Sequence, residues 1–192
     1  MPLILTSGPA AEPVSLSEAK AHCRIDTDAE DTLISSLILA ARLHIEQKLD
    51  LALVSQNWSL YLDAWPDGAH VELPLAPLIN VQSIRTYNAA DEATIVDPEN
   101  YSIDTASRRP RVAFNSGISR PIPGRPVNGI EIAFTAGYGA AADDVPMPIR
   151  QALKMLVAHW YEAREPVVIE QHAESVPSTV ASLIAPYRSA RL

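Results

Sequence analysis

One cysteine, Cys23, stands in the whole 192-residue chain, which excludes an internal disulfide framework and a multi-cysteine zinc site. It reads as a small buried hydrophobe in a reducing compartment. An excess of positive charge is missing too: 15 Lys and Arg face 23 Asp and Glu, giving a formal net charge of −8 and a pI near 5.0. Because phosphate affinity comes mostly from clustered cations, gripping nucleic acid is not this chain's main task. No apolar run approaches membrane-spanning length, and Met1 to Pro13 lacks the basic region and apolar stretch of a signal peptide. These absences predict a soluble protein made in the cytoplasm. The signatures of catalysis are equally scarce: His22, His44, His70, His159 and His172 are scattered, with no paired ligand spacing, no phosphate-cradling glycine loop and no G-x-S-x-G elbow. No catalytic residue, metal ligand or cofactor is assigned.

What the chain does have is apolar periodicity. With 47% hydrophobic residues it can bury a sizeable core. Between Asp28 and Leu49, Leu33, Ile34, Leu37, Ile38, Ala41, Ile45 and Leu49 recur every three or four residues, the stripe of a core helix. Leu39, Ala40 and Leu43 fall outside that stripe, more apolar surface than one packed face requires. Leu39 and Leu43 are therefore expected at a second contact surface, covered either by another part of this chain or, as a subunit interface, by a neighbouring copy. Upstream, residues 1–13 show neither period and read as an extended lead-in, and Ser15 with Glu18 forms a capping box ahead of a short helix, Leu16 to Cys23. The acidic run Asp26 to Asp31 suits the positive end of the long helix. It does not fit a calcium loop, whose sixth and twelfth positions would be Asp31 and Leu37 instead of glycine and glutamate.

From Gln56 the period becomes twofold. Trp58, Leu60 and Leu62 alternate with polar residues, and a turn at Trp65 to Gly68 predicts a hairpin with His70 to Leu73. Further strands are expected at 81–87, 93–96, 101–105, 111–114 and 130–135. A late amphipathic helix after Pro146 carries Ile149, Ala152, Leu153, Leu156, Val157 and Trp160 on one side, with Arg150, Gln151, Lys154 and Glu162 on the other, and packs on the long helix. The fold class is thus α+β. Helices at about 15–50 and 147–165 and an antiparallel β insert at about 56–138 make one domain, residues 1–165, followed by a tail, 166–192.

Two segments invite a functional reading. Arg108, Arg109, Arg111, Arg120 and Arg125 lie in a window without Asp or Glu, which suits either a DNA or partner contact or a solvated hairpin. In the tail, Pro177 to Ile184 can form one or two helical turns if something covers them. Leu183, Ile184, Tyr187, Arg188, Arg191 and Leu192 combine apolar and cationic groups as interface anchors do, and a frayed terminus is the alternative.

The ordered set Leu16–Lys20, Glu30–Asp31, Leu33–Ile34, Ala40–Arg42, Ile45–Glu46, Gln56–Trp58, Leu73–Pro77, Ala136–Gly139, Val145–Arg150, His159–Glu162, Arg164–Glu165 and Pro186–Arg188 resembles the head-tail connector (adaptor) proteins of long-tailed phages, prophages and gene transfer agents. The resemblance implies a structural virion protein in the particle neck, assembled in the host cytoplasm. It implies a ring of copies of itself, usually a dodecamer, beneath the portal protein and above a tail-side neck or stopper protein. DNA passes through the channel without specific binding, and no membrane is involved. The tail would dock on the portal. Two other classes stay open: a DNA-binding accessory module built on the Arg108 to Arg125 loop, and a small maturation hydrolase.

Overall fold

The computed structural model describes residues 1–163 and 177–188. Contacts group the chain into two compact units, one of residues 1–9 and 55–138 and one of residues 10–54 and 139–192. The β insert thus closes with the chain's first residues, while the helices on either side of it form the other unit.

In the β unit, among the described residues, a five-stranded antiparallel sheet runs β1 (Leu3–Ser7), β2 (Gln56–Leu62), β8 (Ile130–Ala136), β4 (Leu78–Tyr87) and β5 (Ala93–Ile95). A three-stranded sheet runs β3 (His70–Glu72), β7 (Arg111–Phe114) and β6 (Tyr101–Asp104). Two expectations are corrected. Residues 1–13 are not merely a lead-in, since Leu3–Ser7 pairs with β2 as an edge strand. The Gln56 and His70 segments are not a hairpin: β2 is flanked by β1 and β8, leaving β3 to pair with β7.

Strand alternation gives the large sheet two unlike faces. Leu60, Ile132 and Ile84 line up across β2, β8 and β4 and are at most 2% exposed. On the reverse face, Tyr61, Glu131 and Arg85 occupy the adjacent row. Glu131 is buried and accepts hydrogen bonds from the Tyr87, Ser59 and Tyr61 hydroxyls at 2.6, 2.9 and 3.3 Å. Burial alone would raise its pKa, but those hydroxyls and the Arg85 guanidinium outweigh it and hold the carboxyl below its ordinary 4.5. A depressed carboxylate stabilises the fold above its unfolded pKa and loses that contribution as the pH falls through the folded value. Glu131→Gln is therefore expected to lower the melting temperature at pH 7 and to flatten its fall in acid below the ordinary 4.5. Parallel acid-melting curves for the two proteins would contradict this.

In the helical unit, α1 (Leu16–Cys23), α2 (Asp31–Leu49) and α3 (Met147–Glu162) pack on one another, and α4 (Ser178–Ile184) packs on α3. The Ser15–Glu18 capping box opens α1 as expected. Ile34, Ile38, Ala41, Ile45 and Leu49 of α2 meet Ile149, Ala152, Leu153, Leu156 and Val157 of α3 in a core where none is more than 4% exposed. Burial of each large aliphatic side chain contributes roughly 1.5–3 kcal/mol.

The acidic run puts Asp31 in the first turn of α2, where it suits the positive helix end as expected; no side chain caps the helix, and Asp28 and Asp31 bond Lys20 at 2.6 and 2.7 Å. One expectation about charge is corrected. Arg150, expected on the wet side of α3, is buried: it reaches Glu18 at 2.7 Å, Asp143 at 2.6 Å and the Pro13 carbonyl at 3.0 Å. Its long stem carries the guanidinium from the stripe's border to the start of α1.

Candidate interaction surfaces

Helix α2 has its charges turned inward. Within Thr32 to Gln47 the two formally charged residues are Arg42 and Glu46, and both are buried. They lie four apart and pair with each other at 2.8 Å. Arg42 also holds Glu12 at 2.7 Å, and Glu46 accepts the Leu53 amide at 2.9 Å. Conversely, every exposed position in that stretch is uncharged: Thr32, Leu33, Ser35, Ser36, Leu39, Ala40, Leu43 and Gln47. Leu39 is 43% and Leu43 50% exposed. A solvated helix face is ordinarily charged, whereas the centre of a protein interface is depleted of charge and enriched in apolar area. The face of α2 has the second composition.

The arginine loop serves its own architecture. Arg111 pairs with Asp104 at 3.0 Å and Arg109 approaches Glu72 at 3.8 Å, while Arg108 is exposed between β6 and β7. Arg120 donates to the Pro66 and Gly68 carbonyls and lies 5.7 Å from the Phe114 ring centre. Arg125 donates to the Val127 and Asn128 carbonyls, pairs with Asp91 at 3.2 Å and sits 4.4 Å over the Tyr87 ring. The carboxylates come from outside the acid-free window, which is why sequence spacing did not reveal them. Asp104 is held below its ordinary pKa by Ser107 and then Arg111.

These bonds fix an irregular segment. The Trp65 indole donates to the Pro121 carbonyl at 2.7 Å, and the Gly124 amide donates to the Tyr87 carbonyl at 2.8 Å. Gly129 fits so closely that a Cβ there would come within 2.6 Å of the Arg125 carbonyl. Held this way, the loop exposes Ile118, Ile122 and Val127, at 40%, 91% and 61%.

The expected tail anchors divide. Ile184 is 2% exposed and, with Val180, belongs to the core of the helical unit, so as packed it is closed to a partner. Leu183 and Tyr187 are half-buried and Arg188 is exposed. Arg191 and Leu192 lie outside the described residues. Val180 and Ile184 share one side of α4 by their four-residue spacing, and α3 covers that side.

No group of three His, Cys, Asp or Glu among the described residues is placed to hold a metal, and no described helix is long and apolar enough to cross a membrane. His44, four turns into α2, meets the Trp160 ring edge-on at 5.8 Å, and its buried Nε2 has no hydrogen-bond partner. The half-buried ring packs against Trp160.

Comparison with known proteins adds an independent line. Residues 13–107 match the family model described as phage gp6-like head-tail connector protein. A chain in the neck of an empty gene transfer agent particle, computed with C6 symmetry, is 30% identical over 100% of this chain and 97% of its own, with a TM-score of 0.86. One in the virion of a native gene transfer agent particle is 31% identical over the same shares, with a TM-score of 0.85. One in the neck of the native particle, computed with C12 symmetry, is 30% identical, again over 100% and 97%, with a TM-score of 0.81. No curated protein matches the chain.

Proposed function

Since the chain belongs to the phage gp6-like head-tail connector family, we propose that it forms a closed ring, of twelve copies, in the neck of a phage or phage-like particle. There it joins the DNA-filled head to the tail. The observation that carries the ring is the charge-free outer face of α2, with Leu39 and Leu43 at its middle. A cyclic ring repeats one heterologous contact, so each copy must offer apolar area beyond its own core. The C6 and C12 symmetries of the similar neck structures support the same geometry. The reading assigns the chain no catalysis, cofactor or metal.

Three partners follow. The portal protein meets the C-terminal tail, a tail-side neck or stopper protein meets the opposite end of the ring, and DNA passes without being held. A net charge of −8 supports the last point, as do arginines engaged within the β unit. The protein acts in the particle neck after assembly in the host cytoplasm.

The tail is tested without disturbing α4. Tyr187→Ala with Arg188→Glu leaves Val180 and Ile184 in place, so ring formation is expected to persist while retention on purified portal-bearing heads falls at least tenfold. That corresponds to about 1.4 kcal/mol. Retention equal to that of the unchanged protein removes Tyr187 and Arg188 from portal docking.

A further inference from the structure

We infer that the occupant of the α2 face is the Gly117–Val127 loop of the neighbouring copy, with Ile122 as the inserted side chain. The inference rests on the ring reading above and deepens it by naming the second half of the contact. A heterologous interface needs two different patches, and the two units supply one each. The helical unit offers the uncharged side of α2, where Ser35, Ser36 and Ala40 beside Leu39 and Leu43 leave room for close approach. The β unit offers a segment whose shape is fixed before binding, so little order must be gained on contact. Trp65, Arg120 and Arg125 pin that segment at both ends, while Ile122 at 91% exposure stands clear of its own chain.

Charge complements the fit. Gly117–Val127 contains no Asp or Glu and two arginines: Arg125, which Asp91 offsets, and Arg120, whose bonds to the neutral Pro66 and Gly68 carbonyls leave its charge in place. The α2 face begins beside Asp26, Asp28, Glu30 and Asp31, where Lys20 bridges two of the carboxylates and leaves the helix start net acidic. A cationic apolar loop on an apolar face with an acidic head is favoured in one orientation and opposed in the reverse, which sets direction around a ring. A tail-side partner of the same chemistry, seated on the loop in place of a second copy, is an outcome the test separates.

The test is complementation between two assembly-deficient full-length chains, one Leu39→Asp/Leu43→Asp and the other Ile122→Asp, followed by sedimentation velocity. Each alone is expected to be monomeric at concentrations where the unchanged chain forms rings. Mixed one to one, they retain a single intact contact, the Ile122 loop of the first on the Leu39 and Leu43 face of the second, and are expected to form dimers and nothing larger. Rings formed by the Ile122→Asp chain, or a mixture that stays monomeric, overturn the pairing and leave the ring reading standing. Rings formed by the Leu39→Asp/Leu43→Asp chain overturn the α2 interface. An unchanged chain that never self-associates overturns the ring reading and this inference together.

Discussion

Replacing Leu39 and Leu43 together by aspartate is expected to abolish the ring while leaving the subunit folded. Both side chains are about half exposed and contribute little to the helical core, so the melting temperature of the monomer should move by the equivalent of no more than about 0.5 kcal/mol per site. In an assembled neck the same positions would be desolvated. Truncating or charging a central apolar anchor typically costs at least about 2 kcal/mol per contact, roughly thirtyfold in affinity. A cyclic assembly repeats that loss at every interface. Sedimentation velocity paired with thermal melting reads both halves of the prediction. Rings that survive the substitution place the subunit contact elsewhere, and a collapsed melting temperature makes these leucines core residues.

The second large effect is inside the subunit. Arg42→Ala should destabilise the protein by about 3–5 kcal/mol, the usual cost of removing one partner from a buried ion pair. It leaves the Glu46 carboxylate, 8% exposed, without its 2.8 Å partner and frees Glu12 as well. For a chain of this size the melting temperature should fall by on the order of 10 °C. Glu46→Gln keeps an acceptor for the Leu53 amide and should cost less than Arg42→Ala. As the control, Arg111→Ala removes an exposed pair with Asp104 and should cost under about 1 kcal/mol. Equal losses for Arg42 and Arg111 would mean that burial does not govern these pairs.

Local chemistry was the legible part of this chain. Ser15 and Glu18 announced α1 because a capping box is written in four consecutive residues. Leu39 and Leu43 could be placed outside the α2 stripe by helical period alone, and both are exposed. Non-local pairing was the hidden part. β1 is five residues in a stretch without period, and its partner β2 begins about fifty residues later. The expected hairpin at Trp65–Gly68 failed because turn residues show that the chain bends, not which strand waits beyond the bend. Once β8 and β1 flank β2, no edge remains for β3.

The interaction surfaces were legible to a similar depth. The sequence located the arginine window, but the carboxylates of Glu72, Asp91 and Asp104 that engage it arrive from other strands and turns. The helical repeat also contained an unread signal. Arg42 and Glu46, four apart at the border of the buried stripe, are spaced to pair with each other, and both are buried. Their inward turn is what leaves the outer face of α2 without charge. Ile184 shows the converse: composition marked the last turns as an anchor, and the i, i+4 relation to Val180 directs it into the helical core instead.

Solvent access to α2 in the assembled neck tests the central claim most directly. With Cys23→Ser removing the native thiol, a Leu43→Cys chain can be labelled by a maleimide both as free subunit and in purified neck-bearing particles. Rapid labelling of the free subunit and protection of at least tenfold in the particle is the expected result. Equal labelling in both states would show that no neighbour covers this face, and the ring contact would have to be sought on another surface.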